Sequence, residues 1–431
     1  MVAASVAVLT AVDYNHDAGP ILNKKCVGCH RPGEIAPFPL LTYAQAFSKA
    51  RTIAAVVKQG VMPPWKPVAG YGDFAGERRL TKQESDTILA WVATGAKQGI
   101  GPAPVPPPAP PEWALGKPDL VIEMPAPYTV PAGGGDRYQC FVIPLPRGFD
   151  QYIRAWEFKP GSRNTLHHAL FFLDASHEGR RRATAGGGTY PCFGVPGFLP
   201  SGSLGGWSPG TRAYQAQDGT AIHMTGYEDL VMQVHYHPTG KPEPDRSRIA
   251  LYFSTYSAKN RPPKSVVDVA LVSKRIDIPA GDAAYKVDDH FTLPVDVWAT
   301  GIIPHAHYIA KQVKEWATLP DGKRVWLLRI DDWDFNWQDQ YRYAKPFMLP
   351  ADTRLDMEIV YDNSARNPHN PNSPPKRVLW GPDSTDEMAG VHLQAIPVDM
   401  DDMEELGQAL WGKIMRAVGG KFYRLPAKDK Q

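Results

Sequence analysis

The chain has 431 residues, of which 43% are hydrophobic and 21% charged, with 47 basic against 45 acidic side chains. A chain of that length needs several cores; its apolar content excludes a disordered protein, and no unbroken apolar run approaches the roughly 18 residues that span a bilayer. A formal net charge of +2 supplies no field that would attract nucleic acid or an anionic membrane.

In chain order, residues 1–12 are apolar, lack a basic segment and are too short to span a membrane, so they read as the trimmed start of a mature chain. Residues 13–100 carry helical signals: Thr81-Lys82-Gln83-Glu84 is a capping box, followed by Ile88, Leu89, Trp91 and Val92 on one helical stripe. Within this segment, Cys26-Val27-Gly28-Cys29-His30 has the spacing of covalent c-type haem attachment. Two thioethers and one axial histidine must reach one porphyrin from a single helical turn, and no second CxxC is present to complete a zinc site. Met62, in Gly60-Val61-Met62-Pro63-Pro64-Trp65, is the expected sixth ligand, with His16 a poorer alternative because it sits too close to the attachment turn. A His/Met pair leaves no open position, so residues 1–101 read as a cytochrome c domain that transfers electrons. Residues 102–112 follow as a linker: seven of the ten residues 102–111 are proline, and polyproline II would make them a semi-rigid spacer of about 30 Å.

Beyond the linker, high proline and glycine content and short apolar runs indicate strands over residues 139–144, 166–173, 230–236, 249–254, 297–303, 325–330 and 355–361. A weaker junction at Asn260-Arg261-Pro262-Pro263 divides them into sandwiches over residues 113–260 and 261–400, and residues 401–431 hold a terminal helix and tail. The expected fold is mostly β: two antiparallel sandwiches preceded by a small all-α cytochrome c domain. Cys140 and Cys192 remain after the CxxCH pair and are expected to form a disulfide, since haem c is attached outside the cytoplasm. The protein is therefore expected to be periplasmic or otherwise exported.

Six of the thirteen histidines fall into three groups, His167-His168, His235-Tyr236-His237 and His305-Ala306-His307. A strand alternates faces, so each HxH pair projects both rings to one side, whereas the adjacent His167 and His168 can share a metal only at a strand edge or a bulge. Imidazoles suit zinc, copper, iron or nickel; an added thioether would select copper.

The runs Asn164-Thr165-Leu166-His167-His168-Ala169-Leu170-Phe171, Leu230-Val231-Met232-Gln233-Val234-His235-Tyr236, His305-Ala306-His307 and Ser384-Thr385-Asp386-Glu387-Met388 together resemble the copper type II, ascorbate-dependent monooxygenases. That family includes peptidylglycine α-hydroxylating monooxygenase and dopamine β-monooxygenase. The resemblance covers about residues 115–400 and is closest to a bacterial branch with a preceding c-type cytochrome. It implies that the two antiparallel sandwiches are jelly-roll-like and carry two mononuclear coppers across a solvent-filled cleft: an electron-storing one held by His167, His168 and His235, and an oxygen-binding one held by His305, His307 and Met388. It does not use His237, which spacing alone would include. The implied activity is hydroxylation of a C–H bond with O2, each copper storing one of the two electrons required, with an external donor feeding the haem. Gln233, two residues before His235 on one strand face, is a candidate support for that ligand.

One departure bears on the substrate. Ile303 stands where peptide-amidating members carry an arginine that holds the substrate carboxylate, and His392 where they carry a tyrosine. Without a guanidinium there is no bidentate carboxylate anchor, so a small neutral or weakly polar substrate is expected. The alternative reading is a non-catalytic electron-transfer or copper-binding subunit of a periplasmic redox assembly.

Overall fold

The computed structural model describes residues 12–417, apart from 147, 149, 185–186, 195, 199, 210, 212, 217–218, 255–263 and 382. The expected junction at residues 260–263 lies outside the described residues, as does most of the amino-terminal apolar segment. Two compact units emerge, one of residues 1–65 and 76–112, the other of residues 66–75 and 113–431.

The first unit is helical. A π-turn at Tyr14–Ala18 leads into α1 (Gly19–Lys25), followed by α2 (Tyr43–Ser48), α3 (Ala50–Lys58) and α4 (Lys82–Ala93). Reciprocal capping boxes start α2 at Thr42/Gln45 and α4 at Thr81/Glu84, satisfying amide donors that a helix cannot satisfy itself. Leu22, Ile53, Ile88 and Trp91 close the core.

The division differs from the expected one in two places. The proline run belongs to the helical unit and is not a free spacer. Prolines lack the N–H for internal bonding but keep their carbonyls as acceptors. The Arg31 guanidinium donates to the carbonyls of Pro107 (2.9 Å) and Pro108 (2.7 Å), and the Asn23 amide to those of Pro104 and Val105, which fastens the run as a strap. Residues 66–75, in contrast, belong to the β unit, because they bond to its strands: Val68 N–H donates to the Arg329 carbonyl at 2.7 Å and Ala75 N–H to the Arg342 carbonyl at 2.8 Å.

The β unit begins with β1 (Leu120–Glu123), β2 (Tyr128–Val130), β3 (Arg137–Pro144), β4 (Gln151–Lys159) and β5 (Leu166–Asp174). The short helix α5 (Glu178–Ala183) precedes β6 (Thr189–Pro191), β7 (Gly202–Trp207), β8 (Tyr214–Gln215), β9 (Ile222–Met224), β10 (Asp229–Tyr236), β11 (Glu243–Asp245) and β12 (Arg248–Phe253). Their main sheets, β6-β3-β10-β5-β7 and β1-β12-β4 with β8 and β9 on β4, enclose one core in which Phe171 and Met232 meet Trp156 and Leu251. The expected disulfide is present, joining Cys140 of β3 to Cys192 after β6.

The second sandwich comprises β13 (Val267–Ser273), β14 (Asp277–Ile278), β15 (Tyr285–Thr292), β16 (Val297–Ala306), β17 (Ala310–Thr318), β18 (Arg324–Ile330), β19 (Tyr341–Leu349), β20 (Arg354–Tyr361), β21 (Val378–Leu379) and β22 (Ala389–Pro397), and is followed by α6 (Met403–Ala417). Sheets β13-β22-β16-β19 and β15-β20-β17-β18 have the strand order of an eight-stranded jelly roll. All named pairings in both sandwiches are antiparallel, so the fold is mostly β as expected.

In each sandwich a late strand lies between an early and a middle one: β10 between β3 and β5, and β22 between β13 and β16. The six candidate metal ligands all lie at or beside the ends of these two central pairs.

Candidate metal centres

At the first pair a bulge does the positioning. On β10, Met232, Val234 and Tyr236 pack into the sandwich core, so Gln233 and His235 face the opposite way. His235 is opposite His168 and Tyr236 opposite Leu166, which leaves His167 as an extra residue without a cross-strand partner. That irregularity brings two adjacent imidazoles to one side, as adjacent ligands require. Nδ1 of His168 lies 3.2 Å from Nδ1 of His167 and 3.3 Å from Nδ1 of His235; ligand atoms of the three residues all fall within 4.8 Å of one another.

Burial pushes His167 down to about 3 and His168 well below its ordinary value, and the neighbouring imidazoles add to the effect. Both are therefore neutral near pH 7, the form that offers a lone pair. Oδ2 of Asp136 lies 3.1 Å from Nε2 of His235, within ion-pair distance but without hydrogen-bond geometry, and Nδ1 of His235 is directed at the cluster. Tyr138, opposite His235 in register, stacks on its ring at 4.2 Å between centroids. His237 stays outside: it is exposed, and its Nδ1 is bonded to Oδ1 of Asp136 at 2.7 Å. Gln233 reaches Cys192 Sγ at 3.5 Å, on the same sheet face as His235.

At the second pair, Nε2 of His305 lies 3.3 Å from Sδ of Met388. Nδ1 of His305 bonds to Oε1 of Gln338 (2.6 Å) and Nδ1 of His307 to the Asp386 carbonyl (3.2 Å), so each ring presents Nε2 as its available lone pair. The fully buried Glu387 fixes this arrangement. Its carboxylate accepts the backbone N–H of His307 and Ile309, each at 2.8 Å, and of Met388 at 3.2 Å, tying the end of β16 to the start of β22. Burial raises the Glu387 carboxyl to about 8, against the lowering effect of those donors. Burial likewise lowers His305 to about 4 and His307 to about 3.

The two donor sets adjoin, in contrast to the solvent-filled cleft expected between them. The rings of His168 and His305 lie 6.2 Å apart, and Phe335 stacks on His167 at 4.3 Å while meeting His307 at 5.7 Å. Phe335 and Gln338 belong to the loop between β18 and β19. Ile303 is directly opposite His392 in the β16–β22 register, and burial holds His392 neutral, down to about 4.

Sequence reasoning missed Asp136, Tyr138, Phe335 and Gln338. Tyr138 had a usable signal, since it shares the alternation of Cys140. The others sit in loops far from the histidines in sequence and had none.

In the helical unit, Cys26 closes α1, and the amides of Cys29 (3.1 Å) and His30 (2.9 Å) both donate to its carbonyl, which forms one tight turn. Nδ1 of His30 bonds to the Phe38 carbonyl at 3.0 Å, leaving Nε2 open. Burial pushes the Cys26 thiol up to about 12 and His30 down. Met62 lies half-buried in the turn after α3, its amide donating to the Val56 carbonyl. Two thiols, an imidazole oriented through Nδ1 and a thioether in one unit are donors of the types a c-type haem takes.

No protein-family model and no curated protein sequence matches the chain. Among solved structures, one of PNGF-II is 10% identical with a TM-score of 0.23 over 64% of this chain and 60% of that one. The infectious bursal disease virus VP2 subviral particle is 10% identical with a TM-score of 0.17 over 65% and 73%. The chain thus spans 60% of the PNGF-II chain's length, and at these scores neither likeness bears on fold or function.

Proposed function

We propose that the protein is an exported, copper-dependent monooxygenase that hydroxylates a C–H bond of a small non-peptide substrate with O2, with electrons entering through a covalent haem c. The observation that carries the reading is the pairing of two unlike donor sets on consecutive sandwiches. One offers three imidazoles; the other offers two imidazoles and a thioether. Three imidazoles suit either copper oxidation state, and a thioether selects copper(I).

Copper at these positions would supply the one-electron redox chemistry that insertion of oxygen into a C–H bond requires. The protein's part is to orient and shield. Gln338 and the Asp386 carbonyl fix which nitrogen of His305 and His307 is available, and Asp136 lies 3.1 Å from Nε2 of His235, on the side away from the cluster. Glu387 holds Met388 against the end of β16, and Phe335 covers His167 and His307. Ile303 and His392 offer a substrate no guanidinium, which disfavours a peptide carboxylate. The CxxCH turn and the Cys140–Cys192 disulfide support both the haem and an oxidising compartment.

The test is to load the full chain and measure metal content, the EPR signal of copper(II) and O2 consumption with a panel of small substrates. Two coppers per haem and substrate-dependent O2 uptake that disappears in His305→Ala are expected. A chain that takes up no copper, or that turns over unchanged without His305, would refute the reading.

A further inference from the structure

One carboxylate links the first histidine site to the segment that leads into the second. Asp136 lies just before β3, and its side chain is only 7% exposed. Oδ1 is bonded to Nδ1 of His237 at 2.7 Å. Oδ2 lies 3.1 Å from Nε2 of His235, and the same oxygen accepts the amide of Ser384 at 3.3 Å and the Ser384 hydroxyl. His235 belongs to the three-imidazole set of the first sandwich. Ser384 belongs to the second and opens the segment that ends at Met388.

We propose that Asp136 is a positioning residue shared by the two sites, coupling metal occupancy of the His167–His168–His235 cluster to the placement of Met388 at the other. The inference rests on the copper reading. A cation at Nδ1 of His235 makes its Nε2–H a stronger donor and draws it toward Oδ2. That oxygen also holds both donors of Ser384, so a tighter hold on His235 changes its hold on Ser384. The segment from Ser384 to Met388 is short and internally braced: Asp386 N–H donates to the Asp383 carbonyl at 2.8 Å, and Glu387 binds the amides of Met388 and His307. A shift at Ser384 therefore reaches the thioether. Such coupling is reciprocal: an ion at the second site alters affinity at the first by the same factor.

The experiment uses the full chain. Copper(II) affinity of the three-histidine site is measured by EPR against a competing chelator, with and without one equivalent of silver(I), a soft ion that a thioether site selects. In the unaltered protein silver(I) is expected to shift copper(II) affinity roughly fivefold or more. Ser384→Ala removes the hydroxyl and keeps only the longer amide contact, so that shift is expected to fall markedly, while affinity without silver(I) stays within about twofold, because Asp136 still lies beside His235. Asp136→Asn is expected to lose roughly 10- to 100-fold in affinity and to change the copper(II) spectrum. Should Asp136→Asn fail to fold, judged by circular dichroism, Ser384→Ala decides alone. Copper binding that ignores silver(I) in the unaltered protein, or a shift undiminished in Ser384→Ala, overturns the coupling and leaves the copper reading standing. Absence of copper binding at the three histidines overturns both.

Discussion

At the residue scale, the half-buried Met388 separates packing from ligation. Removing a methionine that fills a core costs about 2–5 kcal/mol, whereas a methionine held against an imidazole nitrogen at a site should cost chemistry far more than stability. Met388→Ala is expected to abolish O2-dependent turnover and weaken copper(I) binding while the melting temperature changes by only a few degrees, as calorimetry on the metal-free chain would show. A collapse of the fold would instead make Met388 a packing residue. Met62 invites a parallel measurement. The oxidised haem-loaded protein is expected to show the sulfur-to-iron charge-transfer band, and Met62→Ala to lose it; a spectrum that the substitution leaves unaltered would exclude Met62 as the axial ligand.

At the element scale, β17 carries a conflict that pH should expose. Glu315 is fully buried in the second sandwich, neither carboxyl oxygen has a hydrogen-bond partner among the described residues, and burial raises it to about 8 from an ordinary 4.5. Because the folded value lies above the unfolded one, the unfolded chain releases this proton first as pH rises. The associated stability is whole below about pH 4.5, declines from there, and is fully lost above about pH 8, at about 1.4 kcal/mol per pH unit within the window. Glu315→Gln should flatten that dependence and raise stability at pH 8; denaturant melts at pH 5 and pH 8 compare the two proteins. The β3–β6 region makes a second case. Closing 52 residues through Cys140–Cys192 removes unfolded-chain entropy of about 4 kcal/mol at 25 °C in the loop-closure view. Reduction should lower the unfolding free energy by that order, and an unchanged denaturation midpoint would argue against it.

At the scale of the whole molecule, the two units set how electron entry is tested. Because residues 66–75 bond into the β unit and the proline strap is fastened to the helical one, a cut after the strap would damage the β unit. The full-length Cys29→Ala variant is the better comparison. It should still load copper at both histidine sites, lose turnover driven by an external donor to the haem, and regain turnover with ascorbate. Reoxidation of a pre-reduced haem that never tracks copper reduction would show that the haem is not the donor.

The sequence by itself determined the elements whose signal is local or chemically constrained. The capping box of α4, the long strands, the disulfide partners and the CxxCH turn are each specified by a few neighbouring residues or by simple pairing. The bulge at His167 was legible for the same reason, since two adjacent histidines can share one side of a strand only there. Tertiary structure alone decided the rest. Asp136, Gln338 and Phe335 meet the histidines, and Ser384 meets Asp136, only once β10 lies against β5 and β22 against β16, because loops separated by up to 248 residues converge through strand order, which no local pattern encodes. The proline run's attachment was equally hidden: its composition fixes its backbone, but whether it spans solvent or lies along a surface depends on where Arg31 and Asn23 present their donors.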